Sequence, residues 1–297
     1  MSKRDSQEEK KAYKVKWLYE CFGLSKQAYY QKIKATKRKE MQAAIIKQMI
    51  EPIRNKMPRY GTEKLHLELK DKLREKNIKM GRDRFLKFCR QHHLLVRRTH
   101  RSFITTDSKH FFRKSPNLIK DLTPAHAEQV WVSDITYIKL EDGYAYLALV
   151  TDLYSKKILG YRLDNNMKVG MVKEALKMAF KNRRYSHANI IHHSDRGIQY
   201  CCPDYSEFAE SQGMILSTTE KYDPYENAVA ERINGILKYE FGLIKIIPTI
   251  EVAQKMAAQA IAVYNNERRH RSLDMQTPQF AHSHQQHDYK SYKKQAA

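Results

Sequence analysis

The sequence predicts an α/β body preceded by a small all-α, strongly basic arm. Three observations predict it. From residue 127 onward, short apolar and β-branched runs alternate with helical spacings. Their order is three strands, helix, strand, helix, strand, helix. Ahead of residue 97 the apolar residues recur only at helical spacings. Charge divides the chain in the same way. Residues 1–120 hold 33 Lys and Arg against 12 Asp and Glu, whereas residues 121–297 hold 22 against 21. Nearly all of the net +22 therefore lies in the first two-fifths.

The arm begins with a polar, Lys-rich lead-in over residues 3–16. Trp17, Leu18, Cys21, Phe22 and Leu24 then suggest a first helix ending at Gly23. Ser25 is placed to cap a second helix through Tyr29 and Tyr30, giving a helix-turn-helix-like element over 1–40. Residues 32–39 (KIKATKRK) read as a basic connector. A second unit spans 41–96. Ile45, Ile46, Met49 and Ile50 mark a helix over 41–56, and Pro58 stops it. Thr62 is placed to cap a helix whose Leu65, Leu69 and Leu73 fall at i, i+4 and i+8. After a turn at 77–81, Phe85, Phe88, Cys89 and His92 share one side of another helix, and Arg82, Arg84, Lys87 and Arg90 line its polar face. His92 and His93 are adjacent, so they do not face each other as a metal pair would. Residues 97–124 form a basic linker that begins with Arg97 and Arg98 and carries Phe103, Phe111 and Phe112. Those rings suit stacking on bases or docking on the next domain.

The body spans 125–281. Strands are predicted over 128–138, 144–152 and 157–163, with Gly143 and Ser155 at turns. Val169, Val172, Leu176 and Ala179 mark a helix. A strand at Ile190 and Ile191, a helix over 205–212, a strand over 214–217 and a late helix over 252–265 follow. Residues 282–297 read as a flexible, solvated tail.

Three acids stand out in this body. Asp134 lies inside an apolar strand, Asp195 at the end of another, and Glu231 on a helix with Asn227 as its N-cap. Val229, Ile233, Ile236 and Leu237 form that helix's apolar stripe, and Glu231 points away from it. Lone carboxylates in or beside apolar strands are costly. Three of them on neighbouring elements suit hard divalent cations, which take oxygen ligands. Two such ions clamp the attacking and leaving oxygens of an in-line phosphoryl transfer.

Sixty residues separate Asp134 from Asp195, and thirty-five separate Asp195 from Glu231. This spacing and its context resemble the DDE integrase-like transposases, most closely the downstream-frame (OrfB) product of the IS three family of bacterial insertion sequences. WVSDITYI resembles the family's first-aspartate strand, HHSDRGIQY its second-aspartate motif, and YENAVAERINGILKYE its glutamate helix. YNNERRHRSLDMQTPQF resembles the close of its core, and the stretch from PRYG to His92-His93-Leu94-Leu95 resembles its second helix-turn-helix. Two features depart from the family pattern. Thr219-Glu220-Lys221 stands where a Gly usually precedes the glutamate helix, and Glu226-Asn227 replaces the usual Asp-Asn. Glu226 is thus a competing acid, but only Glu231 gives the thirty-five-residue spacing.

The resemblance implies a ribonuclease H-like catalytic core, with a mixed five-stranded sheet. It implies that Asp134, Asp195 and Glu231 hold two Mg²⁺ ions, with Mn²⁺ as a substitute, and that Lys238 contacts DNA. The substrate would be duplex DNA at terminal inverted repeats, processed by a homo-oligomer on paired ends. The active species in the family is commonly a frameshift fusion with an upstream-frame protein. The basic arm fits this, since a charge excess on one domain marks a nucleic-acid partner. Two rivals remain: a catalytically silent DNA-binding relic or repressor, and a hybrid-cleaving ribonuclease, for which sequence-reading helices would serve no purpose. The four cysteines show no zinc-ligand spacing and no apolar run approaches about 20 residues. A bacterial cytoplasmic setting with no membrane span and no signal peptide is therefore expected.

Overall fold

The computed structural model describes residues 15–96, 112, 114–186, 189–220 and 227–290. The body is built on one five-stranded mixed sheet in the order β3-β2-β1-β4-β5. β1 (Val130–Leu140), β2 (Gly143–Asp152) and β3 (Ile158–Asp164) form an antiparallel meander, while β4 (Ile191–Ser194) and β5 (Ile215–Thr218) run parallel to β1. This is the ribonuclease H-like arrangement that the resemblance implied. β1 lies at the centre because it is apolar on both faces. Val130 and Val132 face one core, and Trp131 between them faces the other. On the Trp131 side lie α5 (Val169–Lys181), the short α6 (Ile198–Cys201) and α7 (Pro203–Ser211). On the other lie α8 (Ala228–Glu240) and α9 (Ile250–Asn266). Gly160 lets α5 approach β3, since a Cβ there would lie 2.1 Å from the Ala175 carbonyl oxygen. Gly143 (φ 120°) makes the turn from β1 into β2.

The arm differs from expectation near its start. α1 (Val15–Cys21) is a single short helix, and α2 (Lys26–Lys56) is one continuous helix of 31 residues. The boundary expected at 40/41 therefore lies inside a helix. The expected connector at 32–39 is helical because its lysines, alanine and isoleucine are adequate helix formers with no breaker among them. Ser25 does cap α2, accepting from the Ala28 amide at 3.1 Å. Trp17, Phe22 and Tyr30 are exposed, so α1 and the start of α2 enclose no core of their own. α3 (Thr62–Glu75) buries Leu65, Leu69 and Leu73 as expected, but its N-cap is Gly61 rather than Thr62. α4 (Arg82–Gln91) buries Phe85, Phe88 and Cys89.

The arm is fastened to the body. The buried residues of α2, α3 and α4 belong to the same apolar cluster as α8 and α9. Polar contacts ring that seam: Lys56 pairs with Glu267 at 2.7 Å, and Arg269 pairs with Glu68. Arg268 grips Glu240, the last residue of α8, through two bonds of 2.7 and 2.8 Å.

Two polar segments are more ordered than their composition suggests. In the linker, Phe112 packs on the Trp131-side core, and the Leu118 amide donates to Ser217 Oγ at 2.9 Å. Phe103 and Phe111 lie outside the described residues. The tail expected from 282 is held through residue 290. α10 (Pro278–His284) places His282 fully buried with Nε2 3.1 Å from Glu128 Oε1, and Tyr154 Oη donates to the His287 carbonyl at 2.7 Å. Buried polar partners on the body, rather than apolar periodicity, order this stretch.

Candidate active site

Strand register brings the two aspartates together. β1 pairs with β4 in parallel, with Ser133 opposite Ser194, so Asp134 and Asp195 occupy the next positions on adjacent chains. Asp134 remains within β1, whereas Asp195 begins the loop after β4. Asp195 Oδ1 accepts from the Gly197 amide at 3.1 Å. A Cβ on Gly197 would lie 3.0 Å from that same oxygen, so the loop closes tightly around the carboxylate. Arg196 reaches across to the Thr219 carbonyl and ties the loop to the end of β5.

α8 supplies the third acid and is pinned to β1 by two asparagines. Asn227 holds the N-cap position, but its side chain makes no cap bond; its Nδ2 donates to the Ser133 carbonyl at 3.1 Å. Asn234 Nδ2 donates to Asp134 Oδ2 at 2.8 Å. Asn234 is three residues beyond Glu231 and thus shares its side of the helix. Sequence reasoning missed it. The available signal was a buried amide in a largely apolar helix, which calls for a specific partner. Glu226, the competing acid, lies outside the described residues.

The electrostatics follow from this crowding. The Asp134 carboxyl is pushed up to about 8, first by burial and then by Asp195, with Glu231 adding a further push. The Asn234 bond works against that rise. Glu231 is also raised, by desolvation first and by Asp195 second. Asp195 therefore makes both Asp134 and Glu231 harder to ionise, and Glu231 adds to the effect on Asp134. Among the described residues, however, no three His, Cys, Asp or Glu side chains are gathered closely enough to cage a metal. An all-oxygen donor set of three coupled acids fits a hard divalent cation, which would reverse the repulsion.

Comparison with known proteins identifies the family. Models of the integrase core domain match residues 124–224 and 212–278. The 31 kDa protein of insertion element IS600 from Shigella sonnei is 32% identical over 264 residues, which cover 87% of this chain and 95% of that protein. The chain belongs to the integrase-core transposases of insertion sequences. Other relatives match over less of their length. The putative transposase of IS986/IS6110 from Mycobacterium tuberculosis is 38% identical over 39% of this chain and 44% of its own. Transposase InsF of IS3A from Escherichia coli is 35% identical over 42% and 44%. Among solved structures, the HTLV-2 integrase catalytic core in complex with magnesium is similar at 18% identity, covering 54% of this chain and 98% of that one, with a TM-score of 0.42.

The transposase's basic residues are distributed more widely. Arg82, Arg84, Lys87 and Arg90 all lie on the exposed face of α4, where Arg82 pairs with Asp83 at 3.1 Å. Arg97 and Arg98 lie outside the described residues. Lys238 does not project freely from α8. It is partly buried, with Nζ 4.1 Å from the centre of the Tyr137 ring, and burial lowers its pKa while Asp134 works to raise it. No helix among the described residues is long and apolar enough to cross a membrane.

Proposed function

We propose that this transposase cleaves and rejoins DNA at the terminal inverted repeats of its element, with Asp134, Asp195 and Glu231 as the ligands of two divalent cations, Mg²⁺ or in substitution Mn²⁺. The observation that carries the reading is the mutual electrostatic coupling of these three carboxylates at one end of the sheet. Bound ions would supply Lewis-acid stabilisation of the attacking and leaving oxygens. The chain itself does the rest. Asn234 orients the Asp134 carboxylate, and the Gly197 amide orients that of Asp195. The same site serves hydrolysis and strand transfer, because only the nucleophile changes from water to a 3′-hydroxyl. Residues 41–96 would seat the element's end, with Arg82, Arg84, Lys87 and Arg90 on the exposed face of α4 toward the duplex. A homo-oligomer on paired ends, alone or as a frameshift fusion, would form the working assembly.

Asp134→Asn, Asp195→Asn and Glu231→Gln are each expected to abolish Mg²⁺-dependent strand cleavage and leave DNA binding within about twofold. Near-wild-type cleavage by any one removes that residue from the site. DNA binding by the full chain should weaken steeply with salt. Each phosphate contact adds about −0.9 to the slope of log K against log salt, so a slope of roughly −4 or steeper is expected. A slope near zero excludes the basic arm as a DNA clamp.

A further inference from the structure

The hairpin of β1 and β2 runs past its neighbours. The ladder of β4 on β1 ends at the Ser133–Ser194 pair, and the ladder of β3 on β2 starts only at Tyr146. Among the described residues, β1 next meets backbone on its β4 side at Lys139 and Glu141, which bond to Ile247. The open stretch between carries two rings that the acidic site leaves unused. Tyr137 and Tyr144 lie edge to face, with centres 5.6 Å apart and planes at 86°. Tyr137 is partly buried, and the Lys238 ammonium lies 4.1 Å from its ring centre. Tyr144 is 51% exposed, and Lys139 stands directly across from it in the β1–β2 ladder. Packing between the rings steadies the hairpin. It does not use the open half of Tyr144, which two cations flank.

The rings stand near the acids. Tyr137 is three strand residues from Asp134, or about 10 Å. Lys238 is two helical turns from Glu231, again about 10 Å. Nucleotides rise about 3.4 Å each along a stacked strand, so about three of them span either gap. Aromatic faces accept any base, and neighbouring lysines hold the phosphates between bases.

We infer that Tyr144, backed by Tyr137, stacks an unpaired base of the DNA strand about three nucleotides from the reacting phosphate, while Lys139 and Lys238 hold the adjoining phosphates. Glu141 and Asp142 at the hairpin tip repel a phosphate chain and confine it to the end of the platform nearer the acids. The inference rests on Asp134, Asp195 and Glu231 as the reacting site.

The test uses the full chain and a duplex carrying the element's terminal repeat. The pairs within about three nucleotides of the cut are mismatched, with 2-aminopurine at each in turn. The free, unpaired probe is bright. Wild-type protein should quench it at one position, and Tyr144→Phe should quench it equally, because the ring is kept. Tyr144→Leu keeps apolar bulk for the hairpin. It should leave Tm nearly unchanged and the probe bright, and bind this end at least about fivefold more weakly. Lys139→Ala should flatten the salt slope by about 0.7, one single-strand phosphate contact. Quenching by Tyr144→Leu, or wild-type binding of the mismatched end by it, would overturn the inference. So would a Tyr144→Leu that alters the sedimentation of DNA-free protein while quenching persists, since the ring would then meet a second copy. Asp195→Asn should abolish cleavage and still quench. If it cleaves, the acids are misplaced and the inference falls with them; if it is inactive while Tyr144→Leu quenches, only the platform fails.

Discussion

Glu128 and Asp134 are six residues apart on the same stretch of chain, and the protein treats them in opposite ways. Glu128 is fully buried just before β1, at φ +63°. Desolvation works to raise its pKa, yet His282 beside its carboxylate and the amides of Arg184 and Tyr185 outweigh that and hold it below the ordinary value. Its own amide donates to Asp152 Oδ1 at 2.7 Å, so the two acids share one network. Asp134 has Asn234 as its side-chain donor and two acids as neighbours, and its carboxyl is driven up to about 8. Burial of an acid is therefore not what marks a site. What matters is whether the protein itself supplies the counter-partners. Glu128 is a finished structural joint; Asp134, under the proposed function, would be completed by a cation.

The largest expected effect tests that contrast directly. Glu128→Gln removes a charge around which a buried network is built, and should cost about 3 kcal/mol. Asp134→Asn removes a charge that the metal-free fold tolerates badly, so it should be neutral or stabilising without metal. Chemical denaturation of both variants in chelator measures the difference. A silent Glu128→Gln together with a destabilised Asp134→Asn would reverse the comparison.

The pH dependence sharpens it. The folded pKa of Asp134 is raised from 3.8 to about 8, so the folded state holds an extra proton between those values. Stability from this group is complete below about pH 4 and is lost as pH climbs toward 8. Glu128 has the opposite sign: its folded pKa is depressed, so its contribution is present above its ordinary 4.5 and is lost as pH falls. Added Mg²⁺ at pH 7–8 should therefore raise Tm by a few degrees in the wild type, through binding the folded state alone. The rise should vanish in Asp134→Asn and Asp195→Asn. An equal rise in those variants would place the responsible cation elsewhere.

The contrast also explains what could be read from the sequence. The five strands and the helices α3, α5, α8 and α9 were legible because apolar periodicity reports directly on burial. The first two acids were visible because each interrupts or ends an apolar strand. The joint at Glu128 was not legible. Its partners His282 and Arg184 lie 154 and 56 residues away, and a polar pair at that separation leaves no periodic trace. For the same reason residues 282–290 looked like a tail. Asn234 was hidden by its position, since one amide in an apolar helix resembles a tolerated exception until its partner is known. The continuity of α2 was obscured by charge, because a Lys-rich run suggests a connector even where helix propensity is intact.

The smallest expected effect on stability concerns two lysines that rest on tyrosine rings. Lys156 is fully buried beside the Asp152 network, with Nζ 2.6 Å from the Leu153 carbonyl and 4.2 Å from the Tyr289 ring centre. Lys238 makes a similar contact with Tyr137, but on α8, two helical turns from Glu231 and within the influence of Asp134. Seven residues of helix place Lys238 about 10 Å along the axis from Glu231 and within about 20° around it. A DNA strand lying over the carboxylates would meet Lys238 next, and leaving the Tyr137 ring would cost only about 0.5–1 kcal/mol. Lys156→Met should therefore alter stability and leave the salt dependence of DNA binding unchanged. Lys238→Ala should lower stability by less than about 1 kcal/mol, yet weaken end binding and slow cleavage at physiological salt, with less loss at low salt. Lys238→Arg should retain most activity, because a positive charge rather than fork geometry is required. If Lys238→Ala cleaved and joined like the wild type, the Tyr137 contact would be structural, and Lys238 would belong with Lys156 rather than with the acidic site.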